Sequence, residues 1–218
     1  MEEFIVNLRN NHSDFSKGTL DDKVKATDPT LLFQKWYKEA YEKNCPEPHA
    51  MVLSTVNSKA QPSSRVVYMK ELLEEGFVFY TNYESQKGKE LLNNPRVSLL
   101  FYWDCLERQV RISGTAEKTP SELSDDYFAS RPKGSQIGAW ASRQSQTIPS
   151  RKALERSFQI IEERYKGKEI PRPSFWGGVL VKPTFFEFWQ GRPNRLHDRI
   201  CFNKASSENA WIVERKNP

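Results

Sequence analysis

The sequence predicts an α+β domain whose mostly antiparallel β-sheet closes into a barrel. From residue 50 to about residue 118, short apolar or alternating runs follow one another between turn residues, which is typical of consecutive β-strands. Aromatic residues, which favour sheets, are plentiful at 13 Phe, 8 Tyr and 6 Trp. Helical patterns lie before, between and after these runs without regular alternation, so the chain fits the α+β class.

Residues 1–27 are predicted to be a largely flexible N-terminal arm, because they are polar, weakly patterned and interrupted by Gly18. Four apolar side chains could still dock this arm over a site: Phe4, Ile5, Val6 and Phe15. Residues 28–218 carry the convincing elements, without internal repeats or a low-complexity linker, so they are expected to form a single domain.

Four helices are predicted from their N-terminal signals. The first begins at Asp28-Pro29, with aspartate as N-cap and proline at the first helical position. The second begins at Ser85, and Leu91 and Leu92 are expected to pack it. The third begins at the capping box Thr119–Glu122 and runs toward residue 131, and the fourth begins near Ser150.

Strands are expected where apolar residues alternate or run together between turn residues. They are Met51–Val56, Ser64–Met69, Phe77–Thr81, Val97–Trp103, Gln109–Glu117, Phe175–Val181, Thr184–Gln190, a hairpin partner through Phe202, and Ala210–Arg215.

Residues 189–199 combine three arginines, a histidine and an aspartate around a Gly-Arg-Pro-Asn turn. We interpret them as part of a hairpin whose second strand starts near Arg195. Strand alternation would then place Arg195, His197 and Arg199 on one face and Asp198 on the other. Two guanidinium groups beside an imidazole suit a planar, anionic ligand, although a solvated basic strand at a sheet edge explains the pattern equally well.

Composition restricts the possible functions. The net charge of +5, from 33 basic and 28 acidic residues, fits small anionic ligands at least as well as nucleic acid. No apolar run approaches the length needed to cross a membrane. Three widely spaced cysteines, Cys45, Cys105 and Cys201, indicate neither a disulfide framework nor a zinc site, so a reducing, cytoplasmic compartment is expected. The three histidines are far apart in sequence, and no metal site is expected.

Cationic side chains recur where predicted elements begin or end. Arg65 and Lys70 start and end one strand on opposite faces, so they would serve different parts of a ligand or different ligands. Residues 85–89 form the first turn of a helix, where free backbone N–H groups attract phosphate, unless its lysines only solvate the helix.

A second candidate phosphate site follows the third predicted helix. Tyr127 and Arg131 share one helical face and Ser135 follows the turn, unless Arg131 only completes the helix C-terminus. The chain contains no Gly-rich nucleotide loop, no Gly-x-Ser-x-Gly and no His-Glu-x-x-His. Many anion-binding and aromatic groups with few acid–base groups indicate a cofactor that carries the reaction itself.

Taken together and in order, seven motifs resemble the pyridoxine (pyridoxamine) 5′-phosphate oxidase family of FMN-dependent enzymes. The resemblance covers roughly residues 28–215, and the ordered set is far more specific than any one motif. The motifs are Ser-Ser-Arg-Val-Val-Tyr-Met-Lys (63–70), Phe-Tyr-Thr-Asn (79–82), Glu-Arg-Gln-Val-Arg (107–111), Tyr-Phe-Ala-Ser-Arg-Pro (127–132), Ser-Gln-Ile-Gly-Ala-Trp (135–140), Ser-Phe-Trp-Gly-Gly (174–178) and Glu-Phe-Trp-Gln-Gly with Arg-Leu-His-Asp-Arg (187–199).

The resemblance implies a split β-barrel homodimer with FMN bound at the subunit interface. It places FMN-binding residues at Arg65, Val66, Val67, Tyr68, Lys70, Tyr80, Thr81, Gln86, Lys87, Gln109, Gln144, Ser145, Trp189 and Arg199. It places substrate-binding residues at Lys70, Tyr127, Arg131, Ser135, Arg195 and His197, the last two as the catalytic residues. Gln86 stands where family members commonly carry arginine, so FMN is expected to be held with one fewer charge.

The activity implied is the oxidation of pyridoxine 5′-phosphate and pyridoxamine 5′-phosphate to pyridoxal 5′-phosphate, a step of vitamin B6 salvage. Hydride passes from C4′ to flavin N5, which gives the aldehyde from the alcohol or an imine from the amine. Water hydrolyses the imine and releases ammonia, and dioxygen reoxidises the flavin and yields hydrogen peroxide. The alternatives are a split-barrel flavin reductase without the substrate cradle, a non-catalytic carrier of flavin or of vitamin B6 phosphate, and a basic nucleic-acid binder. The substrate-cradle residues favour the oxidase.

Overall fold

The computed structural model describes residues 14–205 and 210–218 of the 218-residue chain, and these contain nine strands and five α-helices. The strands are β1 Ala50–Val56, β2 Pro62–Tyr68, β3 Glu71–Leu73, β4 Gly76–Asn82, β5 Arg96–Trp103, β6 Arg108–Lys118, β7 Trp176–Gln190, β8 Asp198–Lys204 and β9 Trp211–Lys216. The helices are α1 Pro29–Glu42, α2 Gln86–Asn93, α3 Ser121–Ser130, α4 Lys133–Ala141 and α5 Arg151–Arg164. Short 3-10 turns lie at Asp22–Ala26, Asp104–Leu106 and Pro193–Arg195.

The strands form one sheet in the order β2-β1-β5-β6-β7-β4-β3, and β8 and β9 continue from β7. The pairs β1–β2, β3–β4, β4–β7, β7–β8 and β8–β9 are all antiparallel. The predicted α+β class with a mostly antiparallel sheet is therefore confirmed.

The chain divides into two compact units, each assembled from segments that are distant in sequence. The first unit takes its described residues from Met1–Pro48, Leu100–Ile112 and Phe185–Pro218. The second unit consists of His49–Leu99 and Ser113–Thr184. The single domain expected over residues 28–218 stays a prediction.

Aromatic packing of α1 forms the core of the first unit. Asp28 caps the helix as predicted, because its carboxylate accepts the backbone N–H of Thr30 at 2.8 Å. Trp36 meets the ring of Phe188 on β7 edge-on at a centroid distance of 5.2 Å. Phe33 of the same helix is fully buried and extends this apolar face.

Strand β4 is almost entirely buried. It pairs with β3 on one side and with β7 on the other. Its side chains Phe77, Val78 and Phe79 are fully buried. The Ser85 hydroxyl accepts the Gly88 N–H at 3.3 Å and so caps α2 as predicted. The N-terminus of α2 is thereby fixed directly after β4.

Several elements differ from the sequence predictions. β7 is a single strand where two were predicted. Its pairing with β4 ends at Val181 and its pairing with β8 begins at Phe185. Pro183, which has no N–H to donate, lies between these two ladders and does not interrupt the strand. The predicted capping box is wrong, since Thr119 Oγ1 is hydrogen-bonded to Ser124 Oγ at 2.9 Å and gives α3 no side-chain cap. Helix α4 was not predicted from the sequence, because it contains two glycines, which disfavour helix. Leu92, expected to pack α2, is exposed.

Residues 14–27 belong to the first unit and contact other segments of it. Residues 1–13, with the docking candidates Phe4, Ile5 and Val6, lie outside the described residues. Leu20 is only 4% exposed, and its N–H donates to Asp198 Oδ2 at 3.0 Å. The backbone N–H groups of Ser16 and Lys17 donate to Glu107 Oε2 at 2.8 and 2.9 Å. These contacts hold residues 16, 17 and 20 in place, and the flexible arm over residues 1–27 stays a prediction.

Cys45 and Cys105 form a disulfide within the first unit, with their Cα atoms 5.6 Å apart. The pair joins the segment after α1 to the turn Asp104–Leu106, and 60 residues of sequence separate the two cysteines. The odd number and wide spacing of the cysteines gave no sign of this pair, so the expectation from sequence is corrected. Within residues 14–205 and 210–218, no helix is long and apolar enough to span a membrane.

The structure predicts opposite effects for alanine at two glycines of the second unit. A Cβ at Gly88 would lie 2.1 Å from the Tyr83 carbonyl oxygen, so Gly88→Ala should lower the free energy of unfolding by about 1–3 kcal/mol. Gly134→Ala is the matched control, because nothing lies within 4 Å of its added Cβ and alanine favours helix. Urea unfolding of both variants checks this prediction, and equal losses of stability would contradict it.

Candidate functional site

Two of the cations that the sequence associates with phosphate form a cationic cluster in the second unit, namely Arg65 on β2 and Lys87 in the first turn of α2. The Lys87 ammonium donates to Thr81 Oγ1 at 3.3 Å and to Gln144 Oε1 at 2.7 Å. The fold thus brings four of the predicted cofactor-binding residues together from three separate segments of sequence.

The buried carboxylate of Glu90, on α2, organises this cluster. Glu90 Oε2 accepts hydrogen bonds from Ser63 at 2.8 Å, from Arg65 at 3.4 Å and from Thr55. Gln86 Nε2 donates to Glu90 Oε1 at 2.9 Å. Burial alone would raise the pKa of Glu90, but these hydrogen bonds and the charge of Arg65 outweigh it and lower the pKa. An ionised Glu90 therefore holds the Arg65 guanidinium in place, and Gln86 supports this carboxylate without adding charge.

Three influences act on the pKa of Lys87, the lysine of this cluster. Burial lowers the pKa of Lys87 from its ordinary 10.5, and the positive charge of Arg65 lowers it further, whereas Glu90 opposes the shift. Both cations also lie beside the N-terminal end of α2, whose backbone N–H groups favour anions. A bound phosphate would neutralise the cations and raise the Lys87 pKa again.

Three aromatic rings of the second unit, those of Tyr80, Tyr127 and Trp176, stack on one another. The rings of Tyr80 and Tyr127 are stacked at a centroid distance of 3.8 Å, and Trp176 lies parallel to Tyr80 at 5.5 Å. Burial and then the hydrogen bond to Glu71 raise the pKa of Tyr80, and burial raises the pKa of Tyr127. Both hydroxyls therefore stay protonated at neutral pH and act as hydrogen-bond donors.

A cavity of about 270 Å³, which we call the Arg131 cavity, opens next to this stack. Its lining consists of Asn82, Arg131, Ser135, Gly138, Ala139, Ser142, Gln144 and Trp176. The guanidinium carbon of Arg131 lies 4.5 Å from the Trp176 ring centroid. Its Nη1 is buried and has no hydrogen-bond partner, and burial lowers the pKa of Arg131.

A buried, unpaired guanidinium nitrogen is costly, so an anionic ligand in the Arg131 cavity would stabilise it. Gln144 belongs to both features, because it lines this cavity and accepts from Lys87. The second unit therefore offers two neighbouring anion sites joined by one amide side chain.

In the first unit, residues 191–197 form a loop between β7 and β8. Asn194 and Arg195 are in the left-handed backbone region with φ of 56° and 59°, so β8 begins only at Asp198. The prediction of a strand starting near Arg195 is wrong, and strand alternation does not set the directions of Arg195 and His197. The side chain of Arg195 is exposed.

The imidazole of His197 lies in an aromatic group of this unit. Its centroid is 4.7 Å from that of Trp189 and 5.4 Å from that of Phe15, and Phe15 also contacts Trp189 edge-on at 5.6 Å. His197 Nδ1 accepts the backbone N–H of Arg192 at 3.1 Å, which places the proton of the neutral ring on Nε2.

Burial lowers the pKa of His197, and the positive charge of Arg195 lowers it further, whereas Asp14 opposes the shift. At neutral pH the imidazole is therefore neutral and offers an Nε2–H donor. The sequence identified His197 and Trp189 as site residues and named Phe15 as a docking candidate, but its spacing did not show where Phe15 docks.

Arg199 lies opposite Trp189 in the β7–β8 ladder, so the two residues share a face. Its guanidinium donates to the buried Glu187 carboxylate at 3.0 and 3.3 Å, and Arg111 Nη2 donates to the same carboxylate at 2.7 Å. Glu187 was not among the predicted site residues. The signal for it was present, since a single charge interrupts the apolar run Phe-Phe-Glu-Phe-Trp.

The other predicted site residues lie apart from these contacts. Val66, Val67 and Tyr68 are on β2, which pairs with β1 at the end of the strand order, and Val66 is 62% exposed. Lys70 is exposed, with its ammonium 5.2 Å from the Tyr68 ring. Gln109 is half-buried on β6 in the first unit, and Ser145 is exposed with φ of 70°. Among the described residues, no group of three or more His, Cys, Asp or Glu side chains could hold a metal ion.

Two family models match the chain. The model described as pyridoxamine 5′-phosphate oxidase matches residues 37–165, and the model described as the pyridoxine 5′-phosphate oxidase C-terminal dimerisation region matches residues 176–218. Together they cover every site residue discussed above except Phe15 and Asp14.

Curated relatives and a solved structure agree with this match. The pyridoxine/pyridoxamine 5′-phosphate oxidases of Gloeothece citriformis and Burkholderia lata are 47% and 50% identical, over 100% and 98% of this chain and 100% and 99% of theirs. The crystal structure of PhzG from Burkholderia lata 383, in complex with tetrahydrophenazine-1-carboxylic acid, has a TM-score of 0.86 and 28% identity, and covers 93% of this chain and 100% of that one. The predicted fold class, an α+β split β-barrel with peripheral helices, is confirmed.

The lowered pKa of Lys87 predicts that anion binding weakens as pH rises. Binding a phosphate raises this pKa and takes up a proton, so affinity falls once the pH passes the lowered pKa of the free protein. Titration of the protein with FMN from about pH 7 up to the ordinary lysine pKa of 10.5 should show this slope. Lys87→Met should lower the affinity at pH 7 by about tenfold or more and remove the slope.

The control is Lys89→Met, which removes an exposed lysine of the same helix. Its affinity and pH slope should match the wild type. A slope that survives in Lys87→Met would show that another group titrates.

Proposed function

The chain belongs to the pyridoxamine 5′-phosphate oxidase family, and we propose that it is an FMN-dependent oxidase that converts pyridoxine and pyridoxamine 5′-phosphates to pyridoxal 5′-phosphate. The observation that carries the substrate assignment is the Arg131 cavity, where a buried guanidinium nitrogen has no partner. A phosphate oxygen is the acceptor that such a fork binds best.

The substrate phosphate is assigned to Lys70, Tyr127, Arg131 and Ser135. Tyr127 is held by stacking on Tyr80, and its hydroxyl stays a donor because burial raises its pKa. The flat ring stack next to the cavity also suits a heterocyclic substrate. Each of these groups is a donor or a cation, as recognition of a phosphate dianion requires.

The cationic cluster is assigned to the FMN phosphate. The ionised Glu90 holds Arg65 in place, whereas the hydrogen-bond partners of Lys87 are a hydroxyl and an amide and its pKa is lowered. This donor set therefore fits an anion. The remaining predicted contacts are Val66, Val67, Tyr68, Lys70, Tyr80, Thr81, Gln86, Gln109, Gln144, Ser145, Trp189 and Arg199. When bound, FMN supplies the two-electron acceptor for the C4′ hydride, and dioxygen returns it to the oxidised state with formation of hydrogen peroxide.

Arg195 and His197 are assigned to the substrate's pyridine ring. Arg195 presents an exposed, planar guanidinium on a strained turn, which suits stacking against a flat heterocycle. Neutral His197 offers its Nε2–H as a hydrogen-bond donor. Both residues act by orienting the ring, because correct orientation of the reacting carbon accounts for much of such a rate enhancement.

The match to the C-terminal dimerisation region indicates a homodimer, and FMN at its interface is part of the proposal. The cytoplasmic location is also proposed, although the Cys45–Cys105 disulfide removes the cysteine argument on which it partly rested.

A second candidate function is favoured by the similarity to PhzG, whose bound tricycle carries a carboxylate and no phosphate. The identity of 28% is well below the 47–50% shared with the curated oxidases. An unpaired arginine suits a carboxylate as well as a phosphate, so the preference for the phosphorylated substrate rests on the higher identity to the curated oxidases.

The proposal predicts that the purified, FMN-loaded chain is yellow and, in air, converts pyridoxine 5′-phosphate or pyridoxamine 5′-phosphate to pyridoxal 5′-phosphate and hydrogen peroxide in equal amounts. Pyridoxal 5′-phosphate absorbance and a peroxide assay measure the two products. Tetrahydrophenazine-1-carboxylic acid should be oxidised far more slowly. Failure to bind FMN, or preference for the tricyclic acid, would overturn the assignment.

Arg195 is expected to be the dominant catalytic residue. Arg195→Lys keeps the charge but loses the planar fork, so kcat should fall by about a hundredfold while the Kd for FMN stays nearly unchanged. Steady-state kinetics and a flavin titration separate the two quantities. Near-normal turnover would remove Arg195 from its assigned role.

A further inference from the structure

Asp198 directly follows His197 in sequence, and strand alternation predicts that it lies on the opposite face. In the structure it begins β8, opposite Gln190 at the last pair of the β7–β8 ladder, where the 191–197 loop leaves the sheet. Gln190 is fully buried, so the carboxylate lies at the fixed base of that loop.

The Asp198 carboxylate accepts hydrogen bonds from three donors, which lie in three segments of the first unit. Oδ1 accepts from Arg215 Nη1 on β9 at 2.7 Å, and Oδ2 accepts from the Leu20 backbone N–H at 3.0 Å. Oδ2 also pairs with Arg192 Nη1 at 3.4 Å. A single carboxylate therefore joins the N-terminal segment, the last strand and the loop that carries Arg195 and His197.

Arg192 extends this connection to the imidazole. Its side chain is held by Asp198, and its backbone N–H donates to His197 Nδ1 at 3.1 Å. The next residues of the loop, Asn194 and Arg195, are both in the left-handed region, which L-residues adopt only when surrounding contacts compensate the cost. Asp14 Oδ1 supplies one such contact through the Asn194 N–H at 3.2 Å.

We propose that Asp198 is a positioning residue for the oxidase reaction, which clamps Arg192 so that the loop holds His197 as its Nε2–H tautomer and Arg195 in its left-handed turn. Asp198 does not touch the substrate and transfers no proton. This inference rests on the proposed function, because the roles of Arg195 and His197 in catalysis come from it.

The tautomer of His197 separates positioning from simple electrostatics. The charged groups that face this imidazole are Arg195 and Asp14, with the Arg192–Asp198 pair behind its Nδ1. Loss of the Asp198 charge alone would disfavour the imidazolium and lower the His197 pKa. Release of Arg192 would instead free Nδ1, which permits both tautomers and raises the pKa.

The experiment uses the FMN-loaded chain labelled with ¹⁵N-histidine. The chain has three histidines, so a spectrum of His197→Asn identifies the His197 resonances. The wild type should show a single neutral tautomer with an unprotonated Nδ1. Asp198→Asn should show a mixture of tautomers, a raised His197 pKa and a kcat/KM for pyridoxamine 5′-phosphate lower by about tenfold or more, with an unchanged Kd for FMN.

Two further variants provide a second disruption of the same pair and a matched control. Arg192→Met breaks the same pair from its other end without touching Arg215 or Leu20, and it should reproduce the tautomer mixture even if Asp198→Asn does not fold. Asp22→Asn is the matched control, because Asp22 is the other carboxylate on Arg215, at 2.7 Å, and does not contact Arg192. It should leave the tautomer and kcat/KM within about twofold of the wild type, since exposed ion pairs contribute little.

A single Nε2–H tautomer in both Asp198→Asn and Arg192→Met would overturn the proposal, and so would a tautomer mixture with wild-type kcat/KM. A lowered His197 pKa without a mixture would show a charge effect and also overturn it. If the wild type fails to oxidise pyridoxamine 5′-phosphate, the proposed function fails, and the spectra still decide whether Asp198 positions His197.

Discussion

Buried charge must be neutralised or hydrogen-bonded, and this constraint explains how both units of the chain hold their polar residues. Glu90, Glu107 and Glu187 are 5%, 7% and 4% exposed, respectively. Each one collects donors from segments that are distant in sequence within its own unit. Glu90 fixes Arg65, Glu107 holds the backbone of residues 16–17, and Glu187 pairs with Arg111 and Arg199.

Arg131 is the exception to this rule, and the exception is informative. Its Nη1 is buried without a partner, and the residue lines a cavity of about 270 Å³ beside three stacked aromatic rings. Lys87 shows a milder form of the same situation, because its charge is opposed by burial and by Arg65. Among the buried side-chain nitrogen and oxygen atoms of residues 14–205 and 210–218, Arg131 Nη1 alone lacks a partner, which is why we propose that a negatively charged ligand binds beside it.

The sequence predicted the elements well where the signal was local. Asp28 and Ser85 cap their helices as predicted. The strands predicted between residues 51 and 117 are present as β1, β2, β4, β5 and β6. Both signals are local, because caps and alternation depend on neighbouring residues. The sequence failed where distant contacts decide. Pro183 does not end β7, since its missing N–H falls between two ladders, and Cys45 pairs with Cys105 across 60 residues. The start of β8 was misplaced because contacts from Asp14 and Asp198 stabilise a left-handed turn.

The central claim is that the Arg131 cavity recognises the substrate's phosphate while the cationic cluster holds the cofactor. Anaerobic stopped-flow mixing tests it most directly, by following the loss of flavin absorbance when the FMN-loaded chain meets pyridoxamine 5′-phosphate or unphosphorylated pyridoxamine. The account predicts rapid, saturable bleaching with the phosphorylated amine, much weaker bleaching without the phosphate, and loss of this difference in Arg131→Met. Equal rates with the two amines in the wild type, or an undiminished difference in Arg131→Met, would contradict it.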